Sequence, residues 1–455
     1  MGSVTNLSQN DQGNVINAMV KDCALTQRTR SRRRPLVGAY VALLLFMFIY
    51  CARPEDWIPG LSHAPLAKVT GIFALLDLLF SLRHIRQHLP REILFLGLLI
   101  GQLFLASALS PVWRGGAFQT TLGLAKVLIV LVVMALAVNT MRRLCLLIIT
   151  QAASVAAIAA VTLWKGHLVL GRLDGMLRGN YSDPNDLALA FVISIPMCLA
   201  LLFLARSWIW KTAWSAAILV MTYAIFLTGS RGGFLSLIVT TAVCMWAFAI
   251  RGRRLYLLVV AATLSVIVLL SSGGMLIGRL KSTFNLKDDT AAYGSSQARQ
   301  ASFWRSIEVT KEHPLFGVGP GNFAQVSNDW HVAHNSFTQM SSEGGVPAFF
   351  LYVLILWCGF KNIRATKRFV SRRRETNLLA KALHASLVGY VAGSCFLSVN
   401  YEFFPYFLVA YTTTLFLIAK KFEAQSRKLE APRQTTSRGR SSQDKEEFEL
   451  SLFPI

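Results

Sequence analysis

The stretch His334-Asn335-Ser336-Phe337-Thr338-Gln339, followed by Glu343-Gly344-Gly345, puts imidazole, amide, hydroxyl and carboxyl groups within a few helical turns. A neutral imidazole with a pKa near 6.5 is suited to taking a proton from a hydroxyl. A lone histidine is more often structural, but Asn335, Ser336, Gln339 and Glu343 give His334 a polar face to work with. Two other places hold cations where an apolar chain has little reason to hold them. Arg231 stands in Thr228-Gly229-Ser230-Arg231-Gly232-Gly233, between two apolar runs that leave almost no room for a loop. A guanidinium there calls for an anion or a carbonyl cluster. The bland reading is an arginine that marks a helix end and snorkels to water. The glycines beside it favour a ligand approaching the backbone. Ser295–His313 reads as an amphipathic helix with Phe303, Ile307 and Thr310 on one face and Arg299, Arg305, Glu308 and Glu312 polar. Arg299 alone is as readily a solvated surface charge. Finally, Leu173–Asp186 offers Arg178, Asn180, Asp183, Asn185 and Asp186 around Pro184. Asp183 or Asp186 as a helix N-cap is the default there.

Composition determines what must position these groups. The chain has 455 residues, 54% hydrophobic and 15% charged, with a mean hydropathy of +0.47, whereas a soluble domain carries about 25% charged residues. Apolar runs long enough to cross a bilayer as helices recur along it. We place about twelve, at 36–52, 64–82, 92–111, 120–141, 144–164, 185–205, 212–229, 232–250, 255–277, 345–360, 382–399 and 405–419. The expected fold class is therefore all-α: a polytopic membrane protein with one long outer loop, 278–344, that contains short helices. Residues 1–35 form a basic polar N-terminus expected to be disordered and cytoplasmic. Transmembrane helices 1–9 occupy 36–277, helices 10–12 occupy 345–419, and 420–455 is a polar tail also expected to be disordered and cytoplasmic. The first apolar run follows Arg28, Arg30 and Arg32-Arg33-Arg34 without an A-x-A-type cleavage site, and is taken as an uncleaved span.

The net charge of +23 does not imply nucleic acid, because the cations alternate between connectors. Arg83–Arg91, Arg142-Arg143, Arg206–Lys211, Arg251–Arg254 and Lys361–Lys381 are all basic, which sets them in the cytoplasm. The intervening connectors, including Leu173–Asp186, Ser230-Arg231 and 278–344, then lie outside. Every candidate group above falls on that outer face. The seven cysteines are scattered, mostly in apolar runs, with neither metal-ligand spacing nor a disulfide framework. Gly317-Val318-Gly319-Pro320-Gly321-Asn322 lacks the strand and helix a dinucleotide fingerprint needs. No acidic pair of the DxD kind stands out on the outer side. Neither a metal nor a cofactor is expected.

The order and spacing of four motifs are specific. The Ser-Arg-Gly-Gly corner at Arg231, the Asp-Pro-Asn helix start at Asp183, the run from Arg299 through His313-Pro314-Leu315-Phe316-Gly317 to Phe323, and His334-Asn335-Ser336-Phe337 with Glu343-Gly344-Gly345 together resemble the O-antigen ligase and O-antigen polymerase superfamily. The likeness runs from about Arg178 to Gly345. It implies a bacterial inner-membrane glycosyltransferase that moves a glycan from an undecaprenyl-pyrophosphate carrier to a glycolipid, glycan or protein acceptor on the periplasmic side, without nucleotide sugar, metal or other cofactor. By the same resemblance Arg231, Arg299 and His334 are the catalytic residues. Arg178, Asp183, Asn185, Arg305, Asn335 and Glu343 are candidates for substrate binding. Ligase, polymerase and protein O-oligosaccharyltransferase share these motifs. Arg53-Pro54-Glu55-Asp56-Trp57 carries no acceptor signal.

From the residues alone, bidentate guanidiniums at a lipid-facing cleft suit a pyrophosphate leaving group. Direct displacement would invert the anomeric carbon. The competing class is a multispan transporter. Transporters place polar groups near the midplane on broken helices, whereas here few charges, such as Asp77 and Lys126, interrupt apolar runs and the dense polar set lies outside.

Overall fold

The structure is a computed structural model that describes residues 36–58, 60–61, 66–81, 89–166, 168–169, 172–173, 181, 183–271, 290–327, 331–369 and 373–430. Arg178 and Asn180, the N-terminus 1–35, residues 82–88 of the connector expected on the cytoplasmic side, and the last 25 residues lie outside them. Helices follow one another along the chain: α1 Val37–Ala52, α2 Pro54–Trp57, α3 Leu66–Ser81, α4 Arg91–Ala108, α5 Arg114–Ala137 and α6 Met141–Lys165. After a two-residue hairpin, β1 Leu168–Val169 antiparallel to β2 Arg172–Leu173, come α7 Pro184–Leu204, α8 Trp208–Thr228 and α9 Arg231–Cys244. Helix α9 widens into a π-type turn, Met245–Ile250. Then follow α10 Tyr256–Ser271, α11 Thr290–Glu312, α12 Phe323–Val326, α13 Ser336–Phe369, α14 Arg374–Ser394 and α15 Phe404–Glu430. Each of the twelve expected spans overlaps a described helix at least in part. Seven of the described helices are long and apolar enough to cross a membrane by length and composition, with Val37–Ala52 a shorter apolar one.

Helix α7 is the centre. It is buried along most of its length and packs on α14, α8, α9 and α6. In hydrocarbon the apolar surface gains nothing from helix contact, so close approach and hydrogen bonds hold helices together. Ser386 donates to the Ile193 carbonyl at 2.6 Å and Ser236 to the Gly389 carbonyl at 2.6 Å, each worth about 0.6–2 kcal/mol in such a setting. Asp77, one of the two charges inside an apolar run, accepts from the Ala39 amide at 2.6 Å and closes the N-terminus of α1 from the neighbouring α3. That is a structural use of the charge, at a helix end that otherwise leaves its first amides unpaired.

Some helix bounds differ from the expected ones. Helix α15 runs on past the expected span, to Glu430, through Lys, Glu, Ala, Gln and Arg, which favour helix. Helix α11 starts earlier than Ser295, and its most buried stripe is Ser302, Ser306 and Val309, with Phe303, Ile307 and Thr310 only half-buried beside it. Small hydroxyls sit there because α11 lies close on α13, where Thr310 and Ser341 share a 2.9 Å hydrogen bond. The expected start of a span at 345 agrees with α13, whose Ser336–Phe369 stretch is two helices meeting at a kink, the non-helical Gly345. Gly345 has φ 81°, and a Cβ there would strike the Leu315 carbonyl, so no other residue fits without strain.

Candidate active site

The loop between α11 and α13 is strapped down by one carboxylate. Glu343 accepts from the Gly321 amide at 2.9 Å and the Phe323 amide at 3.1 Å. Gln339 adds a donor at 3.2 Å. The backbone completes the strap, with Val318 and Gly319 donating to the carbonyls of Ser342 and Glu343, each at 2.9 Å. From the other side Asn322 reaches the Ser110 hydroxyl and the Trp113 carbonyl on the α4–α5 connector, while Gln102 of α4 bridges the carbonyls of Leu315 and Gly344. The segment therefore has a single seat, and that seat fixes α11, carrying Arg299, relative to the start of α13, carrying His334.

His334 sits just before α13 with φ 50°. The left-handed region costs a non-glycine residue about 1–3 kcal/mol and is held only where the surroundings demand it. They do. Asn335 Oδ1 caps α13 by accepting from the amides of Phe337 at 2.9 Å and Thr338 at 3.1 Å, and Asn335 Nδ2 donates to the Cys395 carbonyl. Next door Ser336 donates to the Leu397 carbonyl at 2.6 Å and accepts from the Val399 amide at 2.9 Å. The imidazole is half-buried. Its pKa is pushed down to about 4, by burial first and then by the Arg299 charge, with His331 adding and Asp183 opposing.

Arg299 is held below the usual arginine range by burial, by Arg231 and by Arg172, with Asp183 pulling the other way. A guanidinium nevertheless stays protonated in any accessible pH range. Arg231 and Arg172 thus act on Arg299, and Arg299 acts on the imidazole, with Asp183 the acid that acts on both Arg299 and His334. Like charges drawn together and partly dried are costly until an anion joins them.

Arg231 is the first residue of α9, with the Ser230 hydroxyl capping the Gly233 amide at 3.0 Å and Gly229 closing α8 at φ 58°. A cation at a helix N-terminus opposes the helix dipole, whereas an anion held there by both is favoured. The glycines serve packing rather than ligand approach: a Cβ on Gly233 would crowd Ala188 at 2.6 Å, and one on Gly232 would press on Phe396 at 3.0 Å. Arg172 of β2 escaped the sequence reading. Its Nε donates to the Thr228 carbonyl at 2.9 Å and it reaches Asn185 Oδ1 at 3.4 Å. The signal was available, because Arg172 sits on an outer connector and meets the depletion criterion applied to Arg231.

Asp183 takes the default role and caps α7, accepting from the backbone and side-chain nitrogens of Asn185 at 2.6 and 2.7 Å. Arg305 lies apart from the cluster: it pairs with Glu308 at 3.3 Å and Glu312 at 3.0 Å and donates to the Val326 carbonyl at 3.2 Å. It steadies α11 against the loop. A small cavity beside the cluster is lined by Asp186, Leu189, Tyr390 and Glu402, among others. Burial lifts the Glu402 carboxyl to about 7 against the pull of Tyr50 and Arg53, and the Tyr50 hydroxyl lies 3.1 Å from it. Among the described residues no group of three His, Cys, Asp or Glu side chains is arranged to hold a metal ion.

The bundle of long apolar helices defines a polytopic all-α membrane protein. Residues 216–353 match the family model described as O-Antigen ligase, which supports the O-antigen ligase superfamily for this chain. The matched segment contains Arg231, Arg299, His334 and Glu343. The family is that of membrane glycosyltransferases of the O-antigen ligase or polymerase type, with lipid-linked glycan and acceptor partners in general. No curated protein matches the chain.

Proposed function

We propose that the protein moves a glycan from undecaprenyl pyrophosphate to an acceptor hydroxyl at the periplasmic face of the bacterial inner membrane, as an O-antigen ligase-like, inverting transferase. The observation that carries this reading is that Arg231 and Arg172 both act on Arg299, and Arg299 in turn acts on His334, with Asp183 acting on both. Breaking the bond between the anomeric carbon and the pyrophosphate leaves a multiply charged anion. Two or more forked guanidiniums suit it better than point charges do, and they supply the charge neutralisation that a divalent cation would otherwise provide. The acceptor oxygen attacks the anomeric carbon from the opposite face, and its proton passes to the neutral imidazole of His334. At a pKa of about 4 the free imidazole is a weak base. A bound pyrophosphate would offset the Arg299 charge that depresses it, so the donor itself raises the basicity of His334.

In this reading Glu343, Asn335 and Arg305 position the loop, the histidine and α11, and Asp183 with Asn185 sets the start of α7 beside Arg172. Arg178, outside the described residues, keeps its proposed part in substrate binding through the resemblance alone. The acceptor is a glycolipid, a glycan or a protein, and no nucleic acid is involved. The alternating basic connectors support the orientation with both ends in the cytoplasm. A polymerase is the second reading, since it would use the same leaving group. Mass analysis of glycolipids in a deletion strain decides between them. Complete glycan stranded on the carrier is expected. Single repeat units on the acceptor would mean a polymerase, and unaltered glycolipids would remove the proposal.

A further inference from the structure

At the end of the bundle opposite the arginine–histidine cluster, α7 stops at Leu204, α9 widens into Met245–Ile250 and α14 begins at Arg374. Cations from separate parts of the chain meet there around two stacked rings. The rings of Phe203 and Phe248 lie 5.8 Å apart. Arg254 stands over Phe203 at 3.9 Å, Arg374 donates to the Phe203 carbonyl at 2.8 Å, and Lys381 Nζ lies 5.8 Å from the Phe248 ring. Ring faces orient these cations but do not neutralise them.

Among the described residues the ion pairs are Arg53–Asp56, Arg91–Glu92 and Arg305 with Glu308 and Glu312, and none reaches this group. Among the described residues the positive charge of these three side chains is therefore concentrated without an ion pair. Its flank is apolar: Trp246, Leu255 and Tyr256 are each more than half exposed. Amphipathic rings in that position belong at the boundary between headgroups and acyl chains. A soluble anion would use the cations and ignore the flank, whereas a phospholipid uses both. We propose that Arg254, Arg374 and Lys381 form a binding site for the phosphate headgroup of an anionic phospholipid, with its chains lying along Trp246 and Tyr256. The site is independent of the transfer reaction proposed above.

The full chain in phosphatidylcholine nanodiscs is titrated with phosphatidylglycerol, and retained lipid is counted by native mass spectrometry. The triple variant Arg254→Gln/Arg374→Gln/Lys381→Gln is compared with Arg206→Gln/Lys211→Gln, a pair of exposed cations on the same face. A cation near an anionic surface contributes roughly fivefold, so the triple variant is expected to lose on the order of 100-fold in apparent affinity. The control pair, outside the ring-bound group, is expected to lose no more than the roughly 25-fold that two surface cations could contribute, and less than the triple variant. Should the triple variant lose its thermal transition in pure phosphatidylcholine, Lys381→Gln alone replaces it, with an expected loss of roughly fivefold. Loss in the control as large as in the cluster variant would reduce the site to general surface attraction. Displacement of phosphatidylglycerol by inorganic phosphate at matching concentration would make it a soluble-anion site. Either result overturns the proposal.

Discussion

Replacing Glu343 with alanine leaves the Gly321 and Phe323 amides without the carboxylate oxygens that they reach at 2.9 and 3.1 Å. Phe323 is fully buried, so its amide has no water to turn to. An unsatisfied buried donor costs about 1–3 kcal/mol, and hydrogen bonds to a charged acceptor are at the stronger end. At that stronger end the Phe323 amide alone gives about 3 kcal/mol, whereas Gly321 is exposed and its amide can turn to water. The backbone strap through Ser342 and the Glu343 carbonyl survives the substitution, so the loss falls on local opening of 317–323 more than on global unfolding. At about 1.4 kcal/mol per tenfold, amide exchange at Gly321 and Phe323 is expected to quicken by roughly 100-fold, while amides in the middle of α7 stay unchanged. Hydrogen-exchange mass spectrometry in nanodiscs reads both. Glu343→Gln keeps the shape but turns an amide nitrogen toward one donor, so it is expected to fall between wild type and alanine. Exchange at those two amides within a factor of about three of wild type would refute the clamp, and with it the account of how α11 is held to α13.

Other outcomes follow from the same geometry. Arg172→Ala is expected to lower transfer by at least tenfold, with Arg172→Lys recovering little because one ammonium cannot bond the Thr228 carbonyl and an anion in fork geometry; wild-type rates in Arg172→Ala would remove it from the site. Because His334 is neutral down to about pH 4, kcat/KM is expected to show no limb near 6.5 that vanishes in His334→Gln, and such a limb would contradict the depressed pKa. The sign for stability agrees: a histidine whose folded pKa lies below its unfolded value favours folding above about 6.5. That contribution is lost as pH falls toward 4. A limb near 7 is instead expected to belong to Glu402 and to disappear in Glu402→Gln. For orientation, a cysteine at Ser295 is expected to react with impermeant maleimide in spheroplasts and one at Thr376 not to; the reverse would invert the topology.

The helices were legible because apolar run length and charge alternation act locally along the chain. Arg231 was legible as a residue type out of place, whereas Arg299 and His334 drew their roles from the resemblance, and Arg299 acts electrostatically with both. Arg172 was missed because the two-residue hairpin that presents it carries no periodic signal. The role of Glu343 could not be read either, since its partners lie about 20 residues upstream in a loop whose path depends on positive-φ glycines and on Asn322 reaching Ser110. The acid at Glu402 is likewise defined by a contact with Tyr50, from the opposite end of the chain. Distant contacts of this kind decide what an outer carboxylate does, and no local pattern encodes them.

The central claim is a guanidinium grip on a pyrophosphate leaving group, and one measurement tests it directly. Purified protein in liposomes is given a synthetic undecaprenyl-linked glycan as the pyrophosphate or as the monophosphate, with a hydroxyl acceptor and EDTA, and product formation is followed in wild type, Arg231→Lys and Arg299→Lys. The account predicts turnover with the pyrophosphate, inversion at the anomeric carbon, little with the monophosphate, and loss of at least 100-fold in either lysine variant, the scale of removing one preorganised charge donor. Equal turnover of both donors, or lysine variants near the wild-type rate, would contradict it.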